Sequence, residues 1–150
     1  MEGERNQYSL IVPILSRMTT NNKKKLIYPE LSYKIVGILF DVYNELSGGY
    51  QEKYYQRAVS KRFKRENIKF QEQISVPLKF DKEKIGQYFL DFLIEKKIIL
   101  EIKISPRFYL RDIRQVLGYL KAANLQLAIL ASFSRNGLIF KRVVNIIRSN

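Results

Sequence analysis

Apolar residues recur at three- and four-residue steps between Leu31 and Leu46, a spacing that predicts an amphipathic helix. The run Ser47-Gly48-Gly49 is expected to end this helix, because serine and glycine favour turns. A second helix is predicted over residues 51–66, where apolar residues again share one face. The sequence therefore predicts a helical pair joined by a short turn.

After residue 67 apolar and polar residues alternate, and this period of two predicts a long strand over residues 68–80 with one wet face. Pro77 cannot donate a ladder hydrogen bond, so we expect this strand to be bent or to lie at a sheet edge. Two more strands are predicted over residues 85–94 and 98–104, and the second is apolar enough to be central and covered on both faces. The remaining predicted elements are a helix over residues 110–120 and strands over residues 125–131 and 138–144.

The predicted order of elements is two helices, three strands, one helix and two strands (ααβββαββ). A crossover helix between two strands implies a parallel pair, whereas hairpins are antiparallel. We therefore predict a mixed α/β (α+β) fold with a central mixed sheet flanked by helices. Residues 31–150 are expected to form this domain, and residues 1–30, which contain a polar, basic run, to form an N-terminal arm or linker.

The 150 residues include no cysteine and no histidine. This composition excludes a disulfide framework, a zinc finger, a thiol nucleophile and a Ser-His-Asp triad. Any metal site has to use carboxylate, carbonyl and water oxygens, which suit magnesium, manganese or calcium. No apolar run approaches the roughly 20 residues that span a bilayer, and the lack of cysteine agrees with a reducing compartment, so we expect a soluble cytoplasmic protein.

The chain carries 27 lysines and arginines against 14 acidic residues, a net charge of +13. Six basic residues and no acid fall within residues 53–65, and nine basic residues accompany the single Asp112 from residue 103 to the C-terminus. This excess favours a polyanionic partner, either nucleic acid or an anionic membrane face. A surface that only keeps the protein soluble is the alternative.

Charged residues interrupt two of the predicted strands. Glu101 and Lys103 lie in a strand where an unpaired buried ion costs several kcal/mol, and, being two residues apart, they share a face and could compensate each other. Asp91 interrupts the preceding strand, and a hairpin centred on Lys96 places it opposite Glu101, with Cβ atoms roughly 4.5 to 5.5 Å apart. Two carboxylates this close favour a divalent cation between them, although a one-residue slip in register would separate them.

Glu52 is a third acid of interest. At about 100° per residue it lies on the same helical stripe as Tyr55, Val59 and Phe63, so we expect it to face inward. A solvated glutamate that stabilises the helix N-terminus is the alternative, and the sequence alone leaves both open.

These residues carry a family resemblance. The segment Gly49-Tyr50-Gln51-Glu52-Lys53-Tyr54-Tyr55 matches a GxxExxY pattern. Asp91, Glu101-Ile102-Lys103 and Gln115 follow it in the expected order. Over residues 31–145 the chain resembles the GxxExxY family of the PD-(D/E)xK nuclease superfamily.

The resemblance implies a restriction-endonuclease-like core, in which a central sheet is flanked by helices. Two positions depart from the family's pattern: Leu90 stands where the superfamily name has a proline, and Tyr43 stands where we expect a histidine in relatives. Any functional role of the side chain at position 43 is therefore open.

The resemblance also implies a metal-dependent hydrolytic site. Asp91, Glu101 and the backbone carbonyl of Ile102 would bind Mg²⁺ or Mn²⁺, and Glu52 would complete the metal shell or orient a water. The metal would lower the pKa of a bound water and neutralise charge on a phosphodiester. Lys103 would position the attacking water or offset the charge of the transition state. For Gln115 a catalytic contact and a structural role are both open.

Basic residues near this site are candidate phosphate contacts, which position nucleic acid without reading its sequence. They are Arg107, Arg111 and Arg114 after the third strand and Lys53, Arg57 and Lys61 on the second helix. The predicted function is a metal-dependent nuclease that acts on DNA and selects structure rather than sequence, since no sequence-reading motif is present. The alternatives are a nucleic-acid-binding module without cleavage and a purely structural cluster of buried charges, and a homodimer is also left open.

Overall fold

The computed structural model describes residues 26–146, so most of the predicted arm over residues 1–30 lies outside the described residues. All of the predicted elements are present, in the predicted order. They are α1 (Pro29–Leu46), α2 (Glu52–Arg65), β1 (Phe70–Phe80), β2 (Glu83–Ile94), β3 (Ile98–Ile104), α3 (Leu110–Ala123), β4 (Leu127–Ser134) and β5 (Gly137–Val144). Within residues 26–146, no helix has the length and apolar character needed to cross a membrane.

The five strands form one mixed sheet in the order β1-β2-β3-β4-β5. β3 and β4 are parallel because α3 crosses between them, and the other neighbouring pairs are antiparallel. β3 lies at the centre, and its first five residues are buried, as its continuous apolar sequence predicts. Pro77 lies in the edge strand β1, as expected for a proline within a sheet. The mixed α/β fold class is thereby confirmed.

Helices cover both faces of the sheet, because alternate side chains of β3 point to opposite sides. Ile98, Leu100 and Ile102 pack with α1 and α2, whereas Ile99 packs with α3. Burying one large apolar side chain contributes about 1.5–3 kcal/mol relative to leaving it exposed. The two cores therefore hold α2 and α3 on opposite sides of the same central strand.

The apolar side chains of the β1–β2 hairpin change from one side of the sheet to the other part-way along the hairpin. Phe70 packs in the core under α1 and α2, whereas Ile74 packs in the core under α3. Strand pairing is interrupted between them at Gln73, whose φ is 48°, opposite Asp91. The prediction of a single wet face along residues 68–80 is therefore wrong, because a left-handed residue turns the strand over.

β4 begins and ends later than the sequence predicts. Leu125 closes α3 instead of opening the strand, since its N–H donates to the carbonyl of Leu120 after the left-handed Asn124. At the other end a two-residue turn joins Ser134 to Gly137, and these residues still pair across the hairpin. The short turn therefore extends β4 to Ser134.

Candidate active site

The candidate site lies where β2 and β3 part. Their last backbone pair is Phe92 with Leu100, so Asp91 and Glu101 stand opposite each other, in the register predicted for a symmetrical hairpin. Beyond this pair, hydrogen bonds from backbone N–H groups to the two carboxylates take the place of backbone pairing between the strands. Glu101 Oε1 accepts a hydrogen bond from the N–H of Asp91 at 2.8 Å, and Asp91 Oδ2 accepts one from the N–H of Ile102 at 2.9 Å. The two acids therefore converge at the end of the β2–β3 pairing.

The carboxyl groups of Asp91 and Glu101 lie close together in a poorly hydrated environment. Glu101 is 4% exposed, and burial together with the charge of Asp91 raises the pKa of Glu101 to about 8. Burial also raises the pKa of Asp91, although the N–H of Ile102 and the charge of Lys103 oppose this shift. Because two adjacent carboxylates repel each other, the pair retains a proton near neutral pH.

α2 brings Glu52 to the solvent-open side of this carboxyl pair. Partial burial raises the pKa of Glu52, and the charge of Asp91 raises it further, whereas the charge of Lys103 lowers it. Gln56, one helical turn later, donates to Glu52 Oε1 at 3.1 Å and lies close enough to Asp91 to oppose the rise in the pKa of that carboxyl. Glu52 therefore lies on the side of α2 that faces the site, but it is exposed at the rim of the site rather than buried in the core.

Gln56 lies at the site, although no pattern in the sequence singles it out. The available signal was its position four residues after Glu52, because such a pair lies on one face of a helix. A glutamine at this spacing is also common on ordinary helix surfaces, so only its contact with Asp91 separates it from them.

α3 positions the amine of Lys103. The Nζ of Lys103 donates to Oε1 of Gln115 at 2.7 Å, and Gln115 also lies close enough to the hydroxyl of Tyr119 to affect its pKa. Burial and the charge of Glu101 raise the pKa of Tyr119 to about 12, and its ring packs edge-to-face on Tyr88 with 5.0 Å between centroids. The geometry thus gives Gln115 a supporting contact with the lysine.

A direct ion pair between Glu101 and Lys103 does not form in the described part of the chain. The ion pairs there join Arg62 to Asp41 and to Glu45. The charge of Lys103 nevertheless lowers the pKa of each site acid, so it acts on them through space. The structure therefore does not show the direct contact that a structural ion pair between Glu101 and Lys103 requires.

The donor atoms of the site suit a hard cation such as Mg²⁺ or Mn²⁺, because they are all oxygens. Among residues 26–146, no three acidic side chains are gathered closely enough to form a ready-made metal cluster. Asp91 and Glu101 do fit one part of such a site, since a cation in place of their shared proton would let both stay charged. Participation of Glu52 and of the Ile102 carbonyl in a metal shell stays a prediction.

A packed turn holds the start of α2, and with it Glu52. The buried Tyr55 donates its hydroxyl to the carbonyl of Ser47 at 2.5 Å and so ties α2 to the end of α1. A Cβ atom on Gly48 would lie 2.5 Å from the Cα of Arg135, which leaves room only for glycine beside the β4–β5 turn. In this chain the glycine-rich turn and the tyrosine of the GxxExxY pattern therefore support the glutamate.

Tyr43, the residue found where a histidine is expected in relatives, takes part in the same packing. Its hydroxyl donates to the carbonyl of Ser134 at 2.8 Å, and its ring centroid lies 6.2 Å from that of Phe133. These contacts join α1 to the end of β4, so the side chain has a structural role.

The six predicted phosphate contacts are all solvent-exposed. They are Lys53, Arg57 and Lys61 on α2 and Arg107, Arg111 and Arg114 after β3. The guanidinium groups of Arg107 and Arg111 lie 4.8 and 4.7 Å from the ring centroid of Tyr109, which holds both close to the end of β3. Their contact with nucleic acid stays a prediction.

Comparison with known proteins agrees with this architecture. A family model described as the PD-(D/E)XK nuclease superfamily matches residues 29–143. The solved structure described as "Crystal structure of SSO0001" has a similar fold, with a TM-score of 0.52 and 13% sequence identity over 99% of this chain and 81% of that chain. The search of curated proteins found no match.

The five-stranded mixed sheet flanked by helices is consistent with a restriction-endonuclease-like fold, and it brings two acids and a lysine together where two central strands part. The chain belongs to the PD-(D/E)XK nuclease superfamily. Its place in the GxxExxY family, which the segment from Gly49 to Tyr55 suggests, stays a prediction.

Proposed function

We propose that this protein is a metal-dependent nuclease that hydrolyses phosphodiester bonds in DNA. The observation that carries the proposal is the convergence of the Asp91 and Glu101 carboxyl groups at the end of the β2–β3 pairing, beside the amine of Lys103. Superfamily membership supports nuclease chemistry, and the net charge of +13 supports a nucleic-acid substrate.

The residues of the site divide the work of hydrolysis. Asp91, Glu101, the Ile102 carbonyl and Glu52 would hold Mg²⁺ or Mn²⁺, which when bound lowers the pKa of a water ligand and neutralises phosphate charge. Asp91 and Glu101 would release their shared proton as they become ligands. Lys103, held by Gln115, would place its positive charge against the charge that develops on the phosphate.

A second candidate is a nucleic-acid-binding module that does not cleave. It is favoured by one observation: the carboxylates of Asp91 and Glu101 already accept backbone hydrogen bonds, so they are satisfied without a cation. In that case the basic surface would bind DNA, and the acids would only complete the fold.

The test is a cleavage assay on single-stranded, duplex and branched DNA and on RNA, each with Mg²⁺, Mn²⁺ or EDTA. We expect wild type to cleave DNA only with a metal, and Asp91→Ala, Glu101→Ala and Lys103→Ala to lose cleavage. Lys121→Ala, which removes an exposed lysine from the last turn of α3, is the matched control and should cleave like wild type. Metal-independent, salt-sensitive binding without cleavage by wild type would select the second candidate.

A further inference from the structure

An open groove of about 380 Å³ lies on the outer side of α2, beside the C-terminal end of α1. It is lined by Leu46, Tyr50, Tyr54, Arg57, Ala58 and Lys61. The two tyrosines are 46% and 43% exposed, so their rings are accessible from solvent. None of the lining residues contributes to the carboxyl and lysine site between β2 and β3.

We propose that this groove binds unpaired nucleotides of DNA, with bases stacked on the rings of Tyr50 and Tyr54 and phosphates beside Arg57 and Lys61. The inference rests on the proposed function and gives it a substrate class: single strands, or duplexes with a single-stranded region. Exposed aromatic rings combined with cations bind single strands without reading their sequence, since every base has a flat face.

Both rings are held before any ligand arrives. Tyr50 packs edge-to-face on the buried Tyr55, with ring centroids 5.9 Å apart and an interplanar angle of 88°. Tyr54 is contacted by two cations, with Lys53 Nζ at 5.2 Å and the Arg57 guanidinium at 5.7 Å from its ring centroid, and a stacked base would replace a cation on the ring face that it takes. Rings that are already ordered lose little conformational freedom on binding, which favours a base-stacking platform.

The charge around the groove identifies an anionic occupant. Residues 53–65 contain six basic residues and no acid. Arg62 is neutralised by Glu45 and by Asp41, whereas within the described residues Arg57 and Lys61 have no carboxylate partner. An apolar floor bordered by cations that have no carboxylate partner matches a ligand that carries both flat bases and phosphates.

The surface of α2 connects the groove with the site. At about 100° per residue, Glu52 and Tyr54 point to nearly opposite sides of the same helical turn, and Lys53 and Arg57 fall between them. A strand that leaves the site past Glu52 therefore meets Lys53 first and then Arg57, which lines the groove. The groove would then hold nucleotides beyond the bond that is cut.

Base pairing decides which substrates can use this groove. The bases of an intact duplex are stacked inside the helix, so away from its two ends only their edges are accessible and no flat face can lie on Tyr54. An unpaired base has a free face. The groove therefore favours single-stranded regions, while the surrounding cations attract any DNA.

The test measures binding by fluorescence anisotropy in EDTA, so that cleavage does not interfere. We expect Tyr54→Ala to bind a short single-stranded oligonucleotide about tenfold more weakly than wild type, since stacking of one base is worth a loss of roughly this size, and to bind a blunt duplex equally well. Tyr54→Phe keeps the ring and should bind like wild type. Phe80→Ala removes another exposed ring, at the far end of β1, and should also bind like wild type.

A strand of the same length that lacks its bases separates stacking from charge. Wild type and Tyr54→Ala should bind this abasic strand equally, because its phosphates are unchanged and its bases are gone. Equal binding of the normal single strand by wild type and Tyr54→Ala would overturn the inference. A loss of equal size for single strand, duplex and abasic strand would overturn it too, because it would point to a general backbone contact.

These outcomes are independent of catalysis. If wild type cleaves nothing in any metal but Tyr54→Ala still loses single-strand binding, the proposed nuclease activity fails and the groove assignment holds. If wild type cleaves DNA and Tyr54→Ala binds single strands normally, the activity holds and the groove assignment fails. Thermal unfolding of Tyr54→Ala should match that of wild type, since the ring lies outside the core.

Discussion

Glu101 Oε1 accepts a hydrogen bond from the backbone N–H of Asp91 at 2.8 Å, at the position where the β2–β3 ladder would otherwise continue. Asp91 Oδ2 in turn accepts a hydrogen bond from the backbone N–H of Ile102 at 2.9 Å. The carboxylates thus replace main-chain partners, so each acid belongs both to the fold and to the candidate site. Any substitution here therefore has to be judged by stability as well as by activity.

The free energy of unfolding should depend on pH through Glu101. Its pKa in the folded protein is about 8, above its ordinary value of 4.5, so the folded state keeps a proton that the unfolded chain releases. The stabilisation of the folded state by this proton is complete below pH 4.5. It is lost as the pH rises to about 8, by at most about 1.4 kcal/mol per pH unit. Glu101→Gln should flatten this fall, because its amide does not titrate and can still accept the N–H of Asp91.

Urea unfolding in EDTA at pH values below, within and above this window measures the effect. Glu72→Gln, at an exposed position in β1, is the control and should keep the wild-type pH dependence. If Glu101→Gln and wild type lost stability in parallel as the pH rose, the shared proton would not be held by Glu101.

Mg²⁺ or Mn²⁺ should raise the melting temperature of wild type but not of Asp91→Asn. A ligand that binds only the folded state stabilises it by about 2.7 kcal/mol at one hundred times its Kd, and Asp91 is expected to be one of the ligands. Calorimetry at constant ionic strength measures the shift, since a protein with a net charge of +13 also responds to salt. Asp81→Asn, in the β1–β2 turn, is the control; an equal shift in wild type and Asp91→Asn would argue against this metal site.

Gln115→Ala should lower kcat roughly ten- to a hundredfold with little change in KM. Gln115 holds the amine of Lys103 at 2.7 Å, and a small displacement of a catalytic group has effects of this size. Gln115→Glu keeps an acceptor for the amine and should recover much of the rate. Gln87→Ala removes a comparable surface contact, with Lys84 at 3.0 Å, and should leave kcat unchanged. A rise in KM with unchanged kcat would instead make Gln115 a substrate contact.

Arg111 and Arg62 should differ in the salt dependence of DNA binding. Arg111 is exposed beside Tyr109, whereas Arg62 is already paired with Glu45 at 2.8 Å and Asp41 at 3.6 Å. Arg111→Ala should reduce the slope of log K against log salt by about one, because one phosphate contact is lost. Arg62→Ala should leave the slope unchanged; the reverse pattern would move the DNA-binding surface away from α3.

Local periodicity was sufficient to predict most of the fold. The apolar run of β3 predicted its central position, and the symmetrical hairpin around Lys96 predicted that Asp91 and Glu101 stand opposite each other. Both features depend on neighbouring residues in the chain, where side-chain alternation and turn length decide the outcome.

The exchange of faces in the β1–β2 hairpin was not predictable in the same way. Phe70 and Ile74 have the same parity in the sequence, but Gln73 adopts a left-handed conformation between them, and they pack in different cores. A glutamine carries no signal for positive φ, so only the packing of the whole sheet reveals it. Gln56 escaped prediction for a related reason, since its contact with Asp91 joins separate segments of the chain.

The close approach of Gly48 to Arg135 also affects the position of Glu52. The two-residue β4–β5 turn lies against a position with no space for a side chain, and that position precedes α2 and its Glu52 by only a few residues. An insertion in this distant hairpin would push the loop outward and displace the glutamate without altering any residue of the active site. Loop length at the far end of the chain is therefore constrained by chemistry that occurs elsewhere.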